Sequence, residues 1–282
     1  MKIGVSGASG KLGSAIVGHL RDRGGDHTVV AISRTPQAAD GLEVRAGDYN
    51  QPAKLVTAYS GLDRLVMIPS SDLRPGVRGR QMKAAILAAV DAGVGHIVVM
   101  SAAGTREAAV PAIGESYWTG EQEVVRNAAH WTIVRMNYYA ESMAEEIISS
   151  QDQGVLTGIG SERVAYVSRD DLAAAVAGLL VTDGHRGAIY NATGARTVTG
   201  EERAAIASNV LGKPLSYRVV PADQLRAAMT QMGLPAEVVE VVVDIKTNFV
   251  RGDFDIVTGD IERLSGRKPR SFEDVLLSLA VP

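Results

Sequence analysis

Gly7, Gly10 and Gly13 are spaced three apart, directly after the short apolar run 3–5 and at the entry to the helix-like run 12–20. Strand, glycine turn and helix start are the parts of a dinucleotide cradle. One glycine lets the chain turn tightly off the strand end, one lets the backbone approach a pyrophosphate, and one lets helix pack close to strand. The helix start then offers free N–H groups and a positive dipole end to phosphate. The spacing G-x-x-G-x-x-G departs from the common G-x-G-x-x-G, which gives the middle of the turn a different shape. A glycine triplet also serves ordinary turns; its place between a strand and a helix is what favours the cradle.

Residues at the following strand ends extend this reading. Arg34 closes the run 28–33, about twenty residues after the glycine turn, where an acidic residue would take the ribose 2′-hydroxyl of NAD and an arginine pairs with a 2′-phosphate. Arg34 therefore points to NADP, with a solvated strand-end arginine as the alternative. Asp48, after the run 42–46, suits either an acceptor for an adenine amino group or a cap for the helix expected over 51–60. Ser70 and Ser71 end the apolar run 64–69, and Ser101 ends the run 96–100, so their hydroxyls are expected at the crevice beyond the strands. Tyr138 and Tyr139 follow the run 130–135. Such a pair suits a pocket for a flat ligand, since a ring gives contact area at little entropic cost; packing beneath the helix expected over 142–149 is the other use of these rings.

The elements that position these residues alternate. Strand-like runs at 3–5, 28–33, 42–46, 64–69 and 96–100 are separated by helix-like runs, among them 12–20, 51–60 and 81–92. A helix over 115–130, after a loop bearing glycine and proline, leads to a sixth strand over 130–135. This pattern predicts an α/β fold with a doubly wound parallel sheet, whose ligands lie beyond the carboxyl ends of the strands. The short run 164–167 leads to an alanine-rich helix ending at Val181, whose first-turn Asp170 and Asp171 suit the helix dipole, and 188–192 is another strand. Beyond Gly194 the alternation stops. Helices are expected over 199–211, 222–232, 236–249 and 260–265, with a strand-like stretch at 215–220. Ser271, with Asp274 three residues on, opens a last helix. Residues 1–135, continued by 164–192, thus read as the nucleotide-binding core, and 136–163 with 193–282 as a smaller α+β substrate-binding region.

With 282 residues and 46% hydrophobic content, the chain can bury a sizeable core. A formal charge of −3, with 29 scattered Lys and Arg, gives no basic stripe for nucleic acid. The absence of cysteine excludes thiolate catalysis, disulfides and thiolate metal sites. His19, His27, His96, His130 and His185 are isolated and lack metal-ligand spacing, so no metal is expected. The first residues enter a strand without a basic region and long apolar segment, and no run reaches membrane-span length. A cytoplasmic protein without membrane partners is the expectation; oligomeric state is not readable.

In combination, GASGKLG at 7–13, Arg34, GDY at 47–49, the strand ending in Ser101, TIVR followed by Tyr139 and Glu141, SRDDLA at 168–173 and IYNATG at 189–194 resemble the NmrA-like group of atypical short-chain dehydrogenases. Within that group the sequence is most similar to NADPH-dependent quinone oxidoreductases and triphenylmethane reductases, over essentially the whole chain. The resemblance implies a Rossmann fold, NADP(H) as cofactor and an aromatic or quinone-like small-molecule substrate. It assigns the phosphate turn to Gly7, Ala8, Ser9, Gly10, Lys11, Leu12 and Gly13, and the 2′-phosphate to Arg34. It assigns the nicotinamide side to Ile68, Pro69, Ser70, Asn137 and Tyr139. Met136 stands where many relatives have Asn or Pro, and joins Tyr117 and Tyr138 on the substrate side.

Ordinary short-chain dehydrogenases place a Lys four residues after a catalytic Tyr, so that the cation favours proton transfer from the phenol. Here Tyr117 is followed four residues later by Glu121, which would repel a tyrosinate. Tyr117 is then either a proton donor without that partner or a ring packed at a helix start; Ser101 is the other catalytic candidate. Hydride delivery to a quinone or a stabilised carbocation needs little acid, so positioning alone can carry much of the catalysis. The expectation is an NADPH-dependent oxidoreductase acting on a flat conjugated acceptor. The alternatives are a non-catalytic NADP-sensing regulator and a biosynthetic reductase of a carbonyl, ether or epoxide.

Overall fold

Strands buried on both faces need apolar side chains at successive positions, and the central runs of this chain supply them. The computed structural model describes residues 1–38, 41–107 and 113–280. In chain order it forms β1 (Lys2–Ser6), α1 (Lys11–Asp22), β2 (Thr28–Ser33), β3 (Glu43–Ala46), α2 (Pro52–Tyr59), β4 (Arg64–Met67), α3 (Val77–Asp91), β5 (His96–Ala102), α4 (Ile113–Asn127) and β6 (Trp131–Met136). After α5 (Ala140–Ser150) come β7 (Val155–Gly158), β8 (Arg163–Val164), α6 (Arg169–Val181) and β9 (Ala188–Ala192). The remainder is β10 (Val198–Thr199), α7 (Gly200–Leu211), β11 (Ser216–Val219), α8 (Ala222–Gln231), α9 (Ala236–Arg251), α10 (Asp260–Ser265) and α11 (Phe272–Ala280).

Seven of these strands form one parallel sheet in the order β3-β2-β1-β4-β5-β6-β9. The doubly wound α/β expectation holds. Alternate residues face opposite layers, as strand geometry requires. Val66, Val98 and Val134 join the core under α1 and α6, while Leu65, Ile97 and Ile133 join the one under α2 and α3. A third core gathers α5, α7 and α11 around Tyr166, Phe249, Phe254 and Phe272. Beside it lie two small sheets, β7 with β11 in parallel and β8 with β10 antiparallel. Among the described residues, no helix is long and apolar enough to cross a membrane.

Boundaries differ from the sequence reading where packing replaces apolar periodicity. Helix α3 begins at Val77 instead of residue 81, opened by Gly76 in the left-handed region at φ 69°. Its first turn is polar and faces α4 at Gly79, where an added Cβ would sit in ordinary contact with Thr119 and the Ser116 backbone. Helix α4 ends at Asn127, three residues early; the loop before it, residues 108–112, lies outside the described residues. Within 164–167 only Val164 pairs as a strand, whereas Val167 bridges Tyr139. The Ser271 cap is present: its hydroxyl accepts the Asp274 N–H at 3.0 Å.

Candidate active site

The sheet order reverses between β1 and β4, and a crevice of about 390 Å³ opens beyond their carboxyl ends. Gly7 leaves β1 at φ 93°, a conformation that a side chain would strain. The Gly7 and Ala8 N–H groups both donate to the Ile32 carbonyl, at 3.0 and 3.1 Å, which pins the turn to β2. A Cβ on Gly13 would overlap the Gly7 carbonyl oxygen and lie 2.8 Å from the Ala8 Cα. Gly13 thus permits the close helix–strand approach. Between them, Gly10 starts α1 with no side-chain cap and no acidic residue in the first turn. The first-turn N–H groups lack intrahelical acceptors by construction. Gly7, Ser9, Gly10, Lys11, Leu12 and Gly13 line the crevice, whereas Ala8 turns into the core.

At one end of the crevice stand Arg34, exposed, together with Ser33, Gly47 and Asp48. The Asp48 carboxylate accepts the Asn50 N–H at 2.9 Å and the Gln51 side-chain amide at 3.3 Å. It is a turn cap that also faces the crevice. Ile68, Pro69 and Ser70 form the adjoining wall. Tyr49 donates to the Ile68 carbonyl at 2.9 Å, and Ser70 donates to Gln81, whose amide reaches Asn50 at 3.0 Å.

The other end meets a second cavity of about 130 Å³, and the two share Tyr117, Met136 and Tyr139. The adjacent tyrosines do not act as one aromatic wall. Tyr139 lines the crevice, donates to the Met136 sulfur at 3.0 Å and carries the Arg169 guanidinium 4.9 Å from its ring centroid. Tyr138 lines only the smaller cavity and packs edge-on to Phe249 at 5.1 Å between centroids. Burial holds both phenols well above the usual tyrosine range. Asn137, expected at the nicotinamide, is buried at the smaller cavity instead, its amide donating to the Phe254 carbonyl at 3.0 Å.

Ser101 does not reach the crevice. Fully buried, it donates to Glu121 at 2.6 Å, because the last residues of β5 run beneath α4. Glu121 is itself buried and held by the Arg135 fork at 2.8 and 2.6 Å. Its charge is neutralised from β6, so the expected repulsion of a tyrosinate at Tyr117 does not arise. The cation at Tyr117 comes from α3: Arg78 Nη1 donates to the phenol oxygen at 3.1 Å, with its guanidinium 5.4 Å from the ring centroid. Arg78, Arg169, Tyr49 and Gln81 line the crevice; Tyr49 and Arg169 fall within motifs of the resemblance without a role, and Arg78 and Gln81 carried no sequence signal, since their partners lie far along the chain.

The cradle passes a physical test for a dinucleotide. Gly13 lets α1 start tight against the turn, α1 presents uncapped donors to the crevice, and a guanidinium stands at the far end. A family model described as NAD(P)H-binding matches residues 7–183. The chain is 29% identical over 256 residues to quinone oxidoreductase 2 of Escherichia coli (strain K12), covering 89% of this chain and 88% of that one. It is 27% identical over 281 residues to NAD(P)H azoreductase of Xenophilus azovorans, covering 96% and 95%. The crystal structure of Citrobacter sp. triphenylmethane reductase complexed with NADP(H) aligns with a TM-score of 0.90 at 28% identity, over 100% of both chains. From its cradle, its sheet and these likenesses, the chain belongs to the NAD(P)H-binding family, and within it is an NAD(P)H-dependent oxidoreductase.

Proposed function

We propose that the protein passes hydride from NADPH to a quinone or another small, flat, conjugated acceptor seated in the 130 Å³ cavity. The observation that carries this reading is the shared wall: Tyr117, Met136 and Tyr139 border both the dinucleotide crevice and an apolar, aromatic cavity. An apolar cavity of about 150 Å³ takes one benzene ring, so this cavity of about 130 Å³ is on the scale of a single ring, with any further rings left at its mouth. In this reading the turn from Gly7 to Gly13 holds the pyrophosphate and Arg34 the 2′-phosphate. Ile68, Pro69, Ser70 and Tyr139 hold the nicotinamide, which supplies the hydride when bound. Residues 1–135 and 164–192 serve as the cofactor-binding core, and residues 136–163 and 193–282 as the acceptor side, where Tyr138, Ile245 and Phe254 exclude water. The catalysis this geometry offers is mainly positioning in a dry site. Loss of NADPH absorbance in stopped flow, with NADH for comparison, tests it across benzoquinones, naphthoquinones and cationic triarylmethane dyes. The expected result is NADPH-preferring turnover of at least one single-ring quinone; binding of NADPH with no turnover of any acceptor would overturn the reading.

A further inference from the structure

The ion pair that a short-chain dehydrogenase builds on one helix face is replaced here by a pair from two helices. Arg78 on α3 donates to the phenol oxygen of Tyr117 on α4 at 3.1 Å, and the guanidinium also stacks on that ring. Both residues line the dinucleotide crevice, and Tyr117 also lines the acceptor cavity. The carboxylate one helical turn on from Tyr117, Glu121, is turned inward and paired with Arg135. The Arg78 Nε is also buried with no partner among the described residues, a feature it shares with Arg106, Arg203 and Arg270; what sets Arg78 apart is its contact with Tyr117. A donor in that state recovers its desolvation cost only when an acceptor arrives.

We propose that Tyr117 is the proton donor to the acceptor's oxygen and that Arg78 is its positioning residue, holding the phenol at the cavity mouth and stabilising the charge left on it. The assignment rests on the reductase reading. In the step, a quinone gains the two electrons and the proton of the hydride while NADPH is oxidised to NADP⁺. The electron pair drawn onto a quinone oxygen then takes the Tyr117 proton, giving the hydroquinone. The tyrosinate, hydrogen-bonded by Arg78, is reprotonated from water. A triarylmethane cation becomes neutral on taking hydride and needs no proton, so it bypasses the pair. The structure thereby separates two acceptor classes that use the same cavity mouth.

The test compares wild type, Tyr117→Phe, Arg78→Met and Arg78→Lys with a single-ring quinone and with a triarylmethane cation, in single turnover. Tyr117→Phe and Arg78→Met are expected to slow quinone reduction by about 100-fold, the lower range for general acid catalysis. The dye rate should fall by at least about tenfold less than the quinone rate in both of these variants, and Arg78→Lys should recover a large part of the quinone rate. Calorimetric titration of hydroquinone into each protein loaded with NADP⁺ reads the same contact without turnover. Tyr117→Phe is expected to weaken that affinity by about tenfold, well beyond any change in NADP⁺ affinity. Equal losses on both acceptors, or unchanged hydroquinone affinity in Tyr117→Phe, overturn the assignment while leaving the reductase reading intact. No turnover by wild type with any acceptor overturns both.

Discussion

Arg34 stands exposed at the carboxyl end of β2 and lines the crevice; in the proposed reading its planar fork pairs with the 2′-phosphate. Arg34→Ala is expected to raise KM for NADPH by about 10–100-fold, as one charge-assisted contact of about 1.5–3 kcal/mol requires, with KM for NADH nearly unchanged. Steady-state kinetics with both cofactors decides it; parallel shifts in the two would assign Arg34 to general electrostatics. Its place at the crevice was legible because that place depends on distance from a glycine turn and on a strand end, both local features. The same holds for Gly7 and Gly13, whose positive φ and close packing follow from the turn itself. Arg78 was not legible: its partner lies 39 residues away on another helix, and nothing around it in sequence marks a cation as functional. Glu121 was visible as a charge but misread, since the sequence shows its spacing from Tyr117 and hides the Arg135 fork that cancels it.

Elements were legible where one face follows apolar periodicity and less so where small or polar residues make the contact. Helix α6 shows both sides. Its alanine-rich body and Ser168 cap are local, and the Ser168 hydroxyl accepts the Asp171 N–H at 3.0 Å. Asp171 and Asp170 do more than complement the helix dipole, however. The fully buried Asp171 carboxylate accepts the Arg270 N–H at 2.7 Å, while Asp170 pairs with His19 of α1 at 2.7 Å and with Arg267 at 2.6 Å. Those contacts tie the helix to α1 and to the segment before α11. Gly178 is the point where α10 meets α6, for a Cβ there would overlap the Leu264 carbonyl oxygen. A rigid backbone acceptor cannot rotate aside as a side chain can. Gly178→Ala is therefore expected to destabilise the fold by about 3 kcal/mol, although alanine is the better helix former by about 1 kcal/mol. Urea unfolding would show a lower midpoint at unchanged slope; a stabilised variant would mean that α10 slides freely on α6.

Across the whole molecule, the two ends of the sheet do different work. The carboxyl ends carry the crevice, while the amino ends carry a buried polar network that links β5, β6, β9 and the end of α6. His96 meets the Thr132 hydroxyl at 2.8 Å, Thr132 donates to the His185 carbonyl, and the His185 ring joins Tyr190 at 2.8 Å and Thr182 at 2.7 Å. The isolated histidines of the sequence are thus satisfied core groups at these two positions, a pairing that only the strand order brings about. Burial, with the Arg64 and Arg186 charges added, pushes the His96 imidazole down to about 4 from an ordinary 6.5. His185 is shifted in the same direction, mainly by burial and then by Arg263. Between these two pH values the unfolded chain binds a proton that the folded chain refuses, so stability rises with pH through the window and falls as the solution is acidified. Carboxylates held low by their partners, such as Asp255 and Glu202, add their losses mostly beneath that window. Acidification from pH ~7 to pH ~5 should cost about 2 kcal/mol through His96, with His185 adding to it. In His96→Gln, which keeps a donor for Thr132, the same acidification should cost about 2 kcal/mol less. Urea unfolding of both proteins at the two pH values measures the difference, and NADP⁺ titration at each pH monitors the distant crevice. Equal pH slopes in the two proteins would show that His96 takes up its proton while the sheet remains folded.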